Sequence, residues 1–316
     1  MNESTLYGLT VATDFEVPDA PPSHGGPEIV IRNGPPQDRW PTPPEGDVLL
    51  ALEVEGRPDE PWHRLVRAPD GRLHFRMSSL GEAVISEDLS DMRLTLSSDA
   101  PPDLASVLTT GNLLSVLLPL KGSPVFHGSA VEIDGEAIAF VGDSGQGKTT
   151  TATLFCAEGA AVVTDDVLVI DDAETVPTVR RGPRGLRLRA AVSELGATIS
   201  DAEISRSADD RHVVTPRQTA SARVPLKAIV IPHPEHEGSP VRFELLNRKQ
   251  GALALLSYPR LVGWKSPSVV STTFRIATQT TMRVPVLVAH IPWGPQFPEH
   301  LMRDLFDFLD DRAGLE

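Results

Sequence analysis

Residues 141–150 read Val141-Gly142-Asp143-Ser144-Gly145-Gln146-Gly147-Lys148-Thr149-Thr150. The stretch matches the pattern G-x-x-x-x-G-K-[ST], in which glycines let successive backbone N–H groups turn inward toward phosphate oxygens. An apolar run from Ala137 to Val141 precedes it, and residues 149–158 contain no Gly or Pro before Gly159. This context predicts a buried strand entering the loop and a helix leaving it, with Gly159 at the helix C-terminus.

The residue types in this stretch suit the phosphates of a nucleotide. Lys148 is expected to reach the β- and γ-phosphates, and the Thr149 hydroxyl to bind Mg²⁺. The alternative is a glycine-rich turn that meets the pattern by chance, and the flanking strand and helix argue against it. The candidate nucleotide-binding residues are Gly142, Asp143, Ser144, Gly145, Gln146, Gly147, Lys148, Thr149 and Thr150.

Composition and charge restrict the class of protein. The chain has 316 residues, enough for one large domain or two unequal ones, and a formal net charge of −14. This acidity argues against nucleic acid or an anionic membrane surface as the main partner. Cys156 is the single cysteine, which excludes an internal disulfide and fits a reducing cytoplasm. The N-terminus does not look like a signal peptide, and no apolar run approaches the roughly 20 residues that span a bilayer. A cytoplasmic location without a membrane partner is therefore expected.

Residues 1–100 are predicted to form a β-rich N-terminal domain. Polar and apolar residues alternate in several short segments, as they do in half-buried antiparallel strands. Asp70-Gly71 is typical of a hairpin turn, and residues 18–27 and 35–44 are rich in Pro and Gly and are interpreted as loops. The predicted strands are Leu6 to Ala12, Glu28 to Arg32, Val48 to Val54, Arg72 to Met77, Ala83 to Ser86 and Met92 to Ser97.

Residues 101–316 are predicted to form the second domain, which carries the glycine-rich stretch. Apolar residues at helical spacing predict a helix from Asp103 to about Leu118. A hairpin follows, with its turn at Asp134-Gly135, and it delivers His127 to the same sheet. Residues 191–195 are predicted to be helical and residues 198–210 to form a loop. Later helices are predicted at Asn247 to Leu256, Ser268 to Thr281 and Pro298 to Leu309, and strands at Val224 to Pro232 and Val284 to Ile291.

Two adjacent acids, Asp165 and Asp166, end the apolar run that begins at Ala160. A hydrophobic strand that ends in an acid is how P-loop proteins place a carboxylate beside Mg²⁺. Side chains alternate along a regular strand, so the two carboxylates are not expected to face the same way. One of them would serve the metal and the other a substrate proton; the alternative is a solvated strand end.

Residues 180–189 are the most basic run of the chain, Arg180-Arg181-Gly182-Pro183-Arg184-Gly185-Leu186-Arg187-Leu188-Arg189. The run is either a solvated basic loop or a source of guanidinium groups for phosphates. The sequence does not decide between these two interpretations. Arg184 and Arg187 are the candidate phosphate or substrate contacts.

Three segments carry a family resemblance: His127 to Val131, Gly142 to Thr149, and Thr164-Asp165-Asp166. In order and spacing they resemble the catalytic domain of HPr kinase/phosphorylase and its HPr-kinase-like relatives, which include lasso-peptide kinases. The segment Arg184-Gly185-Leu186-Arg187-Leu188 looks like a degenerate form of that family's Arg-Gly-Leu-Gly signature. The β-rich N-terminal part, opening with a predicted Tyr7-Gly8-Leu9-Thr10 strand, resembles that of the shorter relatives and not that of HPr kinase itself.

The resemblance implies an α/β fold with a P-loop kinase core of the HPr kinase/phosphoenolpyruvate carboxykinase type, preceded by the smaller β-rich domain as a candidate substrate-docking unit. It implies an ATP- and Mg²⁺-dependent kinase that phosphorylates a serine-type hydroxyl of a peptide or small protein, such as a ribosomally made natural-product precursor. By position, the catalytic residues would be His127, Lys148, Asp165 and Asp166. Thr149 would bind the metal together with one of the two acids, named here as Asp166, and the other acid would act as base toward the acceptor hydroxyl; the family pattern does not decide which acid has which role.

Departures from the family pattern leave other functions open. Arg187 replaces the second Gly of the signature, and Gly182 stands where the true kinase has an acid, which weakens the case for HPr as substrate and for the reverse phosphorylase reaction. A small-molecule hydroxyl kinase is a second hypothesis, and a nucleotide-dependent regulatory switch without an acceptor is a third. The paired acids and His127 favour transfer, because a switch needs no acceptor base. Homo-oligomerisation is left open.

Overall fold

The computed structural model describes residues 1–23, 25–38, 40, 44–53, 62–78, 80–172, 175–294 and 297–313. Within these residues the chain is a mixed α/β protein with several sheets and six α-helices. No helix in this part of the chain is long and apolar enough to cross a membrane. The chain divides into two compact units: Met1–Pro124 with Ser207–Asp209 and Leu261–Thr273, and Val125–Arg206 with Asp210–Arg260 and Phe274–Glu316. The domain boundary expected near residue 100 stays a prediction.

The first unit contains an eight-stranded sheet. Its strands are β1 Asn2–Leu6, β2 Leu9–Thr13, β3 Ile29–Asn33, β4 Asp47–Leu52, β5 His63–Arg67, β6 Leu73–Met77, β7 Gly81–Ile85 and β8 Asp91–Leu96. They are arranged in the order β1-β2-β3-β8-β7-β6-β5-β4. Strands β4 to β8 form an antiparallel meander, whereas β3 pairs in parallel with β2 and with β8. In β6 the alternate residues Leu73, Phe75 and Met77 are buried, which explains the polar–apolar alternation of the sequence.

Two features of this sheet differ from the prediction. Residues Leu6 to Ala12 do not form one strand, because Tyr7 and Gly8 make the turn between β1 and β2 with φ values of 52° and 79°. Two consecutive residues with positive φ make the tight hairpin turn whose twist matches its strands. Strand β5 was not predicted, because polar residues hide its alternation. Val54, the last residue of another predicted strand, lies outside the described residues.

Both edge strands of this sheet have hydrogen-bonding partners within the first unit. At β1 the Thr5 N–H donates to the Pro21 carbonyl oxygen, with an N–O distance of 2.8 Å. At β4 the Ala51 N–H donates to the carbonyl oxygen of Gly263 at 3.0 Å. Such contacts protect edge strands from pairing with strands of other chains.

The helix predicted from Asp103 to about Leu118 is present but interrupted. Helices α1 (Leu104–Leu108) and α2 (Leu114–Leu120) are joined by a π-helical turn at Thr109–Leu113. The turn contains the sequence Thr-Thr-Gly, which consists of weak helix formers. The Thr110 hydroxyl also donates to the Ser106 carbonyl oxygen at 3.0 Å, a contact that commonly bends helices.

The remaining elements begin at residue 125. The strands are β9 Val125–Phe126, β10 Gly128–Ile133, β11 Glu136–Val141, β12 Ala161–Thr164, β13 Leu168–Asp171, β14 Thr178–Arg180, β15 Leu186–Leu188, β16 Glu203–Arg206, β17 His212–Thr215, β18 Arg223–Glu235, β19 Arg242–Leu245 and β20 Val286–Pro292. The helices are α3 Lys148–Ala157, α4 Arg248–Ser257, α5 Pro267–Arg283 and α6 Leu301–Ala313.

A nine-stranded sheet organises the second unit. Its main path is β12-β10-β11-β18-β14-β13-β9, and β20 pairs with β18 and β19. Strand β11 runs parallel to β18, and β18 runs parallel to β20, so the carboxyl ends of all three strands lie at one edge of the sheet. In open α/β sheets, ligands bind at this edge. Helix α3 packs on the sheet through Phe155, whose ring meets the Phe140 ring edge to face at 5.1 Å.

The strand and helix predicted around residues 142–147 are present as β11 and α3. The predicted β10–β11 hairpin is also present, and Asp134 and Gly135 form its turn with φ values of 52° and 82°. Residues 190–198 are helical, as predicted for 191–195, and the helix is of the 3₁₀ type. The loop predicted at 198–210 was wrong in part, because it contains β16. The short strands β15, β16 and β17 form a small sheet of their own, and their lengths of three or four residues give no clear sequence period.

Helix α4 offers a matched pair of leucines for testing the core. Leu255 is fully buried in the second unit, whereas Leu253 in the same helix is 57% exposed. We expect Leu255→Ala to lower the free energy of unfolding by about 2–5 kcal/mol, because it leaves a cavity. Leu253→Ala should change it by less than about 0.5 kcal/mol. Urea unfolding followed by circular dichroism measures both; equal effects of the two substitutions would contradict the packing described for α4.

Candidate active site

The glycine-rich loop, residues 142–147, connects β11 to α3. Gly145 and Gly147 have φ values of 91° and 92°, a left-handed conformation that glycine adopts without steric cost. A side chain at Gly147 is further excluded, since its Cβ would lie 2.7 Å from the Trp293 ring. No side chain of the described residues caps the N-terminus of α3. The loop therefore presents uncapped N–H groups at a helix N-terminus, an arrangement that favours anions.

Lys148 is buried at the base of this loop. Only 6% of its surface is exposed, and its Nζ donates to the carbonyl oxygens of Gly142 and Asp143 at 2.9 and 2.8 Å. Burial lowers the pKa of Lys148 to about 8, although Asp165, Asp166 and Asp143 counteract the shift. An ammonium group has three N–H donors, so two carbonyl contacts leave one donor for a further acceptor.

Asp165 lies directly after β12 and is almost fully buried. Its Oδ1 accepts hydrogen bonds from the hydroxyls of Ser129 at 2.5 Å and Thr149 at 2.9 Å. Its Oδ2 accepts from the backbone N–H of Arg187 at 2.9 Å. Burial raises the pKa of Asp165, and the three hydrogen bonds oppose that rise. The carboxylate thus joins the strand β10, the first turn of α3 and the start of β15.

Asp166 has different partners from Asp165. Its φ of 71° turns the chain away from the strand direction, and its side chain is 33% exposed. Oδ1 lies 3.2 Å from His127 Nδ1, and Oδ2 accepts a hydrogen bond from an Arg260 guanidinium nitrogen at 2.7 Å. Burial opposes ionisation of Asp166, but Arg260 and His127 outweigh it and hold its pKa well below the usual range.

The two carboxylates face different ways, as expected, but the cause is the turn at Asp166 and not strand alternation, because β12 ends at Thr164. Asp165 faces Thr149, and Asp166 faces His127 and Arg260. The backbone N–H of His127 donates to the Tyr258 carbonyl oxygen at 2.8 Å, which fixes the position of His127 between β9 and β10. The sequence candidates His127, Lys148, Thr149, Asp165 and Asp166 are therefore brought into one site.

The basic run contributes to this site in a different way from the one expected. Arg187 provides its backbone N–H to Asp165, and Arg184 directs its guanidinium to Thr219 Oγ1 at 3.4 Å. The guanidinium that reaches the glycine-rich loop is that of Arg189, which donates to Ser144 Oγ at 3.1 Å. Arg189 is therefore a better placed cation for a ligand at the loop than Arg184.

Sequence reasoning did not single out Ser129, Arg189 or Arg260. Ser129 lies two residues after His127, and the spacing of alternate residues on an extended chain could have suggested it. Arg189 belongs to the basic run, but the sequence-based prediction named Arg184 and Arg187 instead. Arg260 lies 94 residues from its partner Asp166, in a segment without a motif, so no local signal marks it.

Comparisons with known proteins do not assign a family or a function to this site. No protein-family model and no curated protein matches the chain. Among solved structures, the HPr(Ser) kinase/phosphatase from Coxiella burnetii is similar over 60% of this chain and 96% of its own, with 11% sequence identity and a TM-score of 0.28. Similarity at this level carries no functional conclusion, so the likeness to HPr kinases stays a resemblance.

Lys148 is expected to destabilise the protein that has no nucleotide bound. Its pKa of about 8 lies below the value of about 10.4 for an unfolded chain, so folding disfavours the charged form. Lys148→Met should therefore raise the free energy of unfolding by about 1–3 kcal/mol at pH 7. The gain should shrink between pH 8 and about pH 10.4, because the wild-type lysine becomes neutral in the folded state.

Urea unfolding at several pH values, without added nucleotide, measures this difference. Lys249→Met is the matched control, because Lys249 is exposed on α4. It should produce neither the gain nor its pH dependence. A uniform loss of stability in Lys148→Met would contradict the inferred cost of burying the ammonium group.

Proposed function

We propose that the protein is a kinase that transfers the γ-phosphoryl group of ATP to a hydroxyl group. The leading acceptor is a serine-type hydroxyl of a peptide or small protein. One observation carries the proposal: the buried carboxylate of Asp165 accepts a hydrogen bond from Thr149 at the loop–helix junction, while Asp166 beside it is held by His127 and Arg260. Phosphoryl transfer requires a loop that binds the phosphates and a group that orients the acceptor hydroxyl. The glycine-rich loop and the carboxylate of Asp166 would supply these two parts.

The residues present fit ATP and Mg²⁺. Left-handed glycines, an uncapped helix N-terminus and the buried Lys148 suit a polyphosphate. The Thr149 hydroxyl and the Asp165 carboxylate are oxygen donors of the kind Mg²⁺ prefers. The Mg²⁺ ion, when bound, would neutralise charge on the phosphate oxygens.

The geometry changes one detail of the residue roles proposed from the sequence. The sequence names Asp166 beside Thr149 for the metal but leaves the roles of the two acids open, and Thr149 makes its hydrogen bond to Asp165. We therefore assign the metal to Thr149 and Asp165. Asp166 is one-third exposed and is assigned to orient the acceptor hydroxyl and accept its proton. Arg260 and His127 would hold Asp166 in position and keep it ionised.

Lys148 and Arg189 are assigned to the phosphates. Lys148 has one N–H donor beyond the two that Gly142 and Asp143 occupy, and the Arg189 guanidinium already lies beside Ser144. Positive groups that face the transferring phosphoryl group stabilise the charge it carries in the transition state. Arg184 and Arg187 remain candidates for contacts with the substrate.

Two alternatives keep the same nucleotide site. A small-molecule hydroxyl would need the same carboxylate, so the geometry does not distinguish it from a peptide acceptor. A regulatory switch would not need Asp166 with its Arg260 and His127 partners, and this group favours transfer. Peptide docking on the N-terminal domain, residues 1–100, stays a proposal with less support, since both edges of its sheet are already hydrogen-bonded.

Transfer is tested with γ-labelled ATP, Mg²⁺ and a lysate of the source organism divided into a macromolecular and a small-molecule fraction. We expect acid-stable label on a peptide or protein with the wild-type chain and none with Lys148→Met. Label confined to the small-molecule fraction would indicate a metabolite kinase. Release of free phosphate alone would count against transfer and in favour of the switch.

The two acids are distinguished by substitution with asparagine. Asp166→Asn should lower the transfer rate by about 10²–10⁴-fold, because it removes the acceptor base, while nucleotide affinity stays within a few-fold of wild type. Asp165→Asn should instead weaken Mg²⁺-dependent nucleotide binding. Asp310→Asn, on an exposed face of α6, is the control for a lost negative charge. Unchanged transfer by a folded Asp166→Asn variant would remove Asp166 from the mechanism.

A further inference from the structure

A second group of potential ligands lies where β18 and β20 run side by side. His233 and His290 are directly paired in the register of these parallel strands. Glu235 follows His233 by two residues and therefore shares its face of the sheet. One donor atom from each of the three side chains lies within 4.8 Å of the other two. None of these residues belongs to the nucleotide site described above.

Two of the three side chains, those of His290 and Glu235, are partly buried and hydrogen-bonded to each other, and the exposed His233 packs against His290. His290 Nδ1 lies 2.8 Å from Glu235 Oε1, and the rings of His290 and His233 meet edge to face at 5.1 Å. The side chains of His290 and Glu235 are only 17% and 25% exposed. A further carboxylate oxygen, of Glu244 on β19, lies 3.9 Å from His290 Nε2. Ligands carried by adjacent strands are better fixed than ligands carried by loops.

A simple ion pair does not account for the whole group. A hydrogen bond between His290 and Glu235 needs no second imidazole, yet His233 faces His290 across the strand pair. Among the described residues, Arg242 also approaches the carboxylate, with a guanidinium nitrogen 3.3 Å from Glu235 Oε1. The Arg242 side chain is 59% exposed, so water is available to replace this contact.

We propose that His233, Glu235 and His290 bind a divalent transition-metal ion, with Zn²⁺ as the representative ion. Two imidazole nitrogens and one carboxylate oxygen are a ligand set that suits Zn²⁺, whereas Mg²⁺ prefers oxygen ligands alone. In a tetrahedral shell with bonds of about 2.0–2.2 Å, ligand atoms lie roughly 3.3 Å apart. The donor atoms lie within 4.8 Å of one another, so metal binding would require the side chains to rotate toward the ion. Water, or Glu244, would complete the shell.

One residue, Trp293, connects this group of side chains to the glycine-rich loop. The Trp293 N–H donates to the Glu235 carbonyl oxygen at 3.0 Å, and the Trp293 ring occupies the space beside Gly147. A metal ion here would fix the carboxyl ends of β18 and β20, from which Trp293 extends. The proposal concerns metal binding and does not depend on the kinase activity.

Metal binding is tested on the full chain by competition for Zn²⁺ with a chromophoric chelator, in excess Mg²⁺ so that oxygen-ligand sites are occupied. We expect one Zn²⁺ per chain, and an affinity at least about tenfold lower in His233→Asn and in His290→Asn. His212→Asn is the matched control, since His212 lies on β17 outside the group, and it should bind as wild type does. Because His233 is exposed, its substitution should leave folding intact even if that of His290 does not.

Co²⁺ substitution gives an independent readout. The visible absorption of Co²⁺ should be that of a tetrahedral nitrogen–oxygen site, without a sulfur charge-transfer band, and should be lost in His233→Asn. No stoichiometric binding of Zn²⁺ would overturn the proposal. Equal affinity in the wild type, His233→Asn and His212→Asn would overturn it as well, because it would assign the binding to other residues.

Discussion

The arrangement of the candidate site depends on the burial of one carboxylate, that of Asp165. An ionised carboxylate removed from water is costly unless hydrogen bonds replace its hydration. Asp165 obtains three donors, from the Ser129 and Thr149 hydroxyls and from the Arg187 backbone. These donors come from β10, α3 and β15, so stabilising the charge requires three separate segments of the chain to meet. The loss of any one donor would leave a buried acceptor underpaired, and such a loss costs about 1–3 kcal/mol.

The neighbouring Asp166 shows how a single backbone angle creates two chemical environments. Asp165 and Asp166 are adjacent in sequence, but the left-handed φ of Asp166 directs its side chain toward Arg260 and His127. The pKa of Asp165 is raised by burial, whereas that of Asp166 is lowered by Arg260 and His127, which outweigh its burial. Pairs of acids whose environments separate their pKa values are typical of sites that assign different roles to the two groups.

The sequence allowed the central part of the fold to be predicted because its signals are local. The apolar run before Gly142, the uninterrupted helix before Gly159 and the Asp134-Gly135 turn each depend on a few adjacent residues, and all three elements are present. The strands that escaped prediction, such as β5 and β16, are only four or five residues long and have no clear alternation, so their position depends on pairing with a neighbouring strand. The same distinction between local and long-range signals applies to the residues of the candidate site. His127, Lys148, Thr149 and the two acids belong to local motifs, whereas Arg260 reaches Asp166 only through the tertiary fold.

The candidate site lowers the stability of the folded chain, and Lys148 illustrates this cost. A buried ammonium group with a lowered pKa is unfavourable in the folded chain, and its contacts to the carbonyl oxygens of Gly142 and Asp143 compensate only part of the lost hydration. The left-handed Gly145 and Gly147 add a cost in conformational entropy. The charge of Lys148 does not improve packing, since a neutral side chain would fill the same space. Proteins retain such locally unfavourable arrangements mainly where a ligand needs them. An anion with several oxygens would satisfy the remaining donor of Lys148 and the uncapped N–H groups of α3 together, and this supports the polyphosphate proposed for the loop.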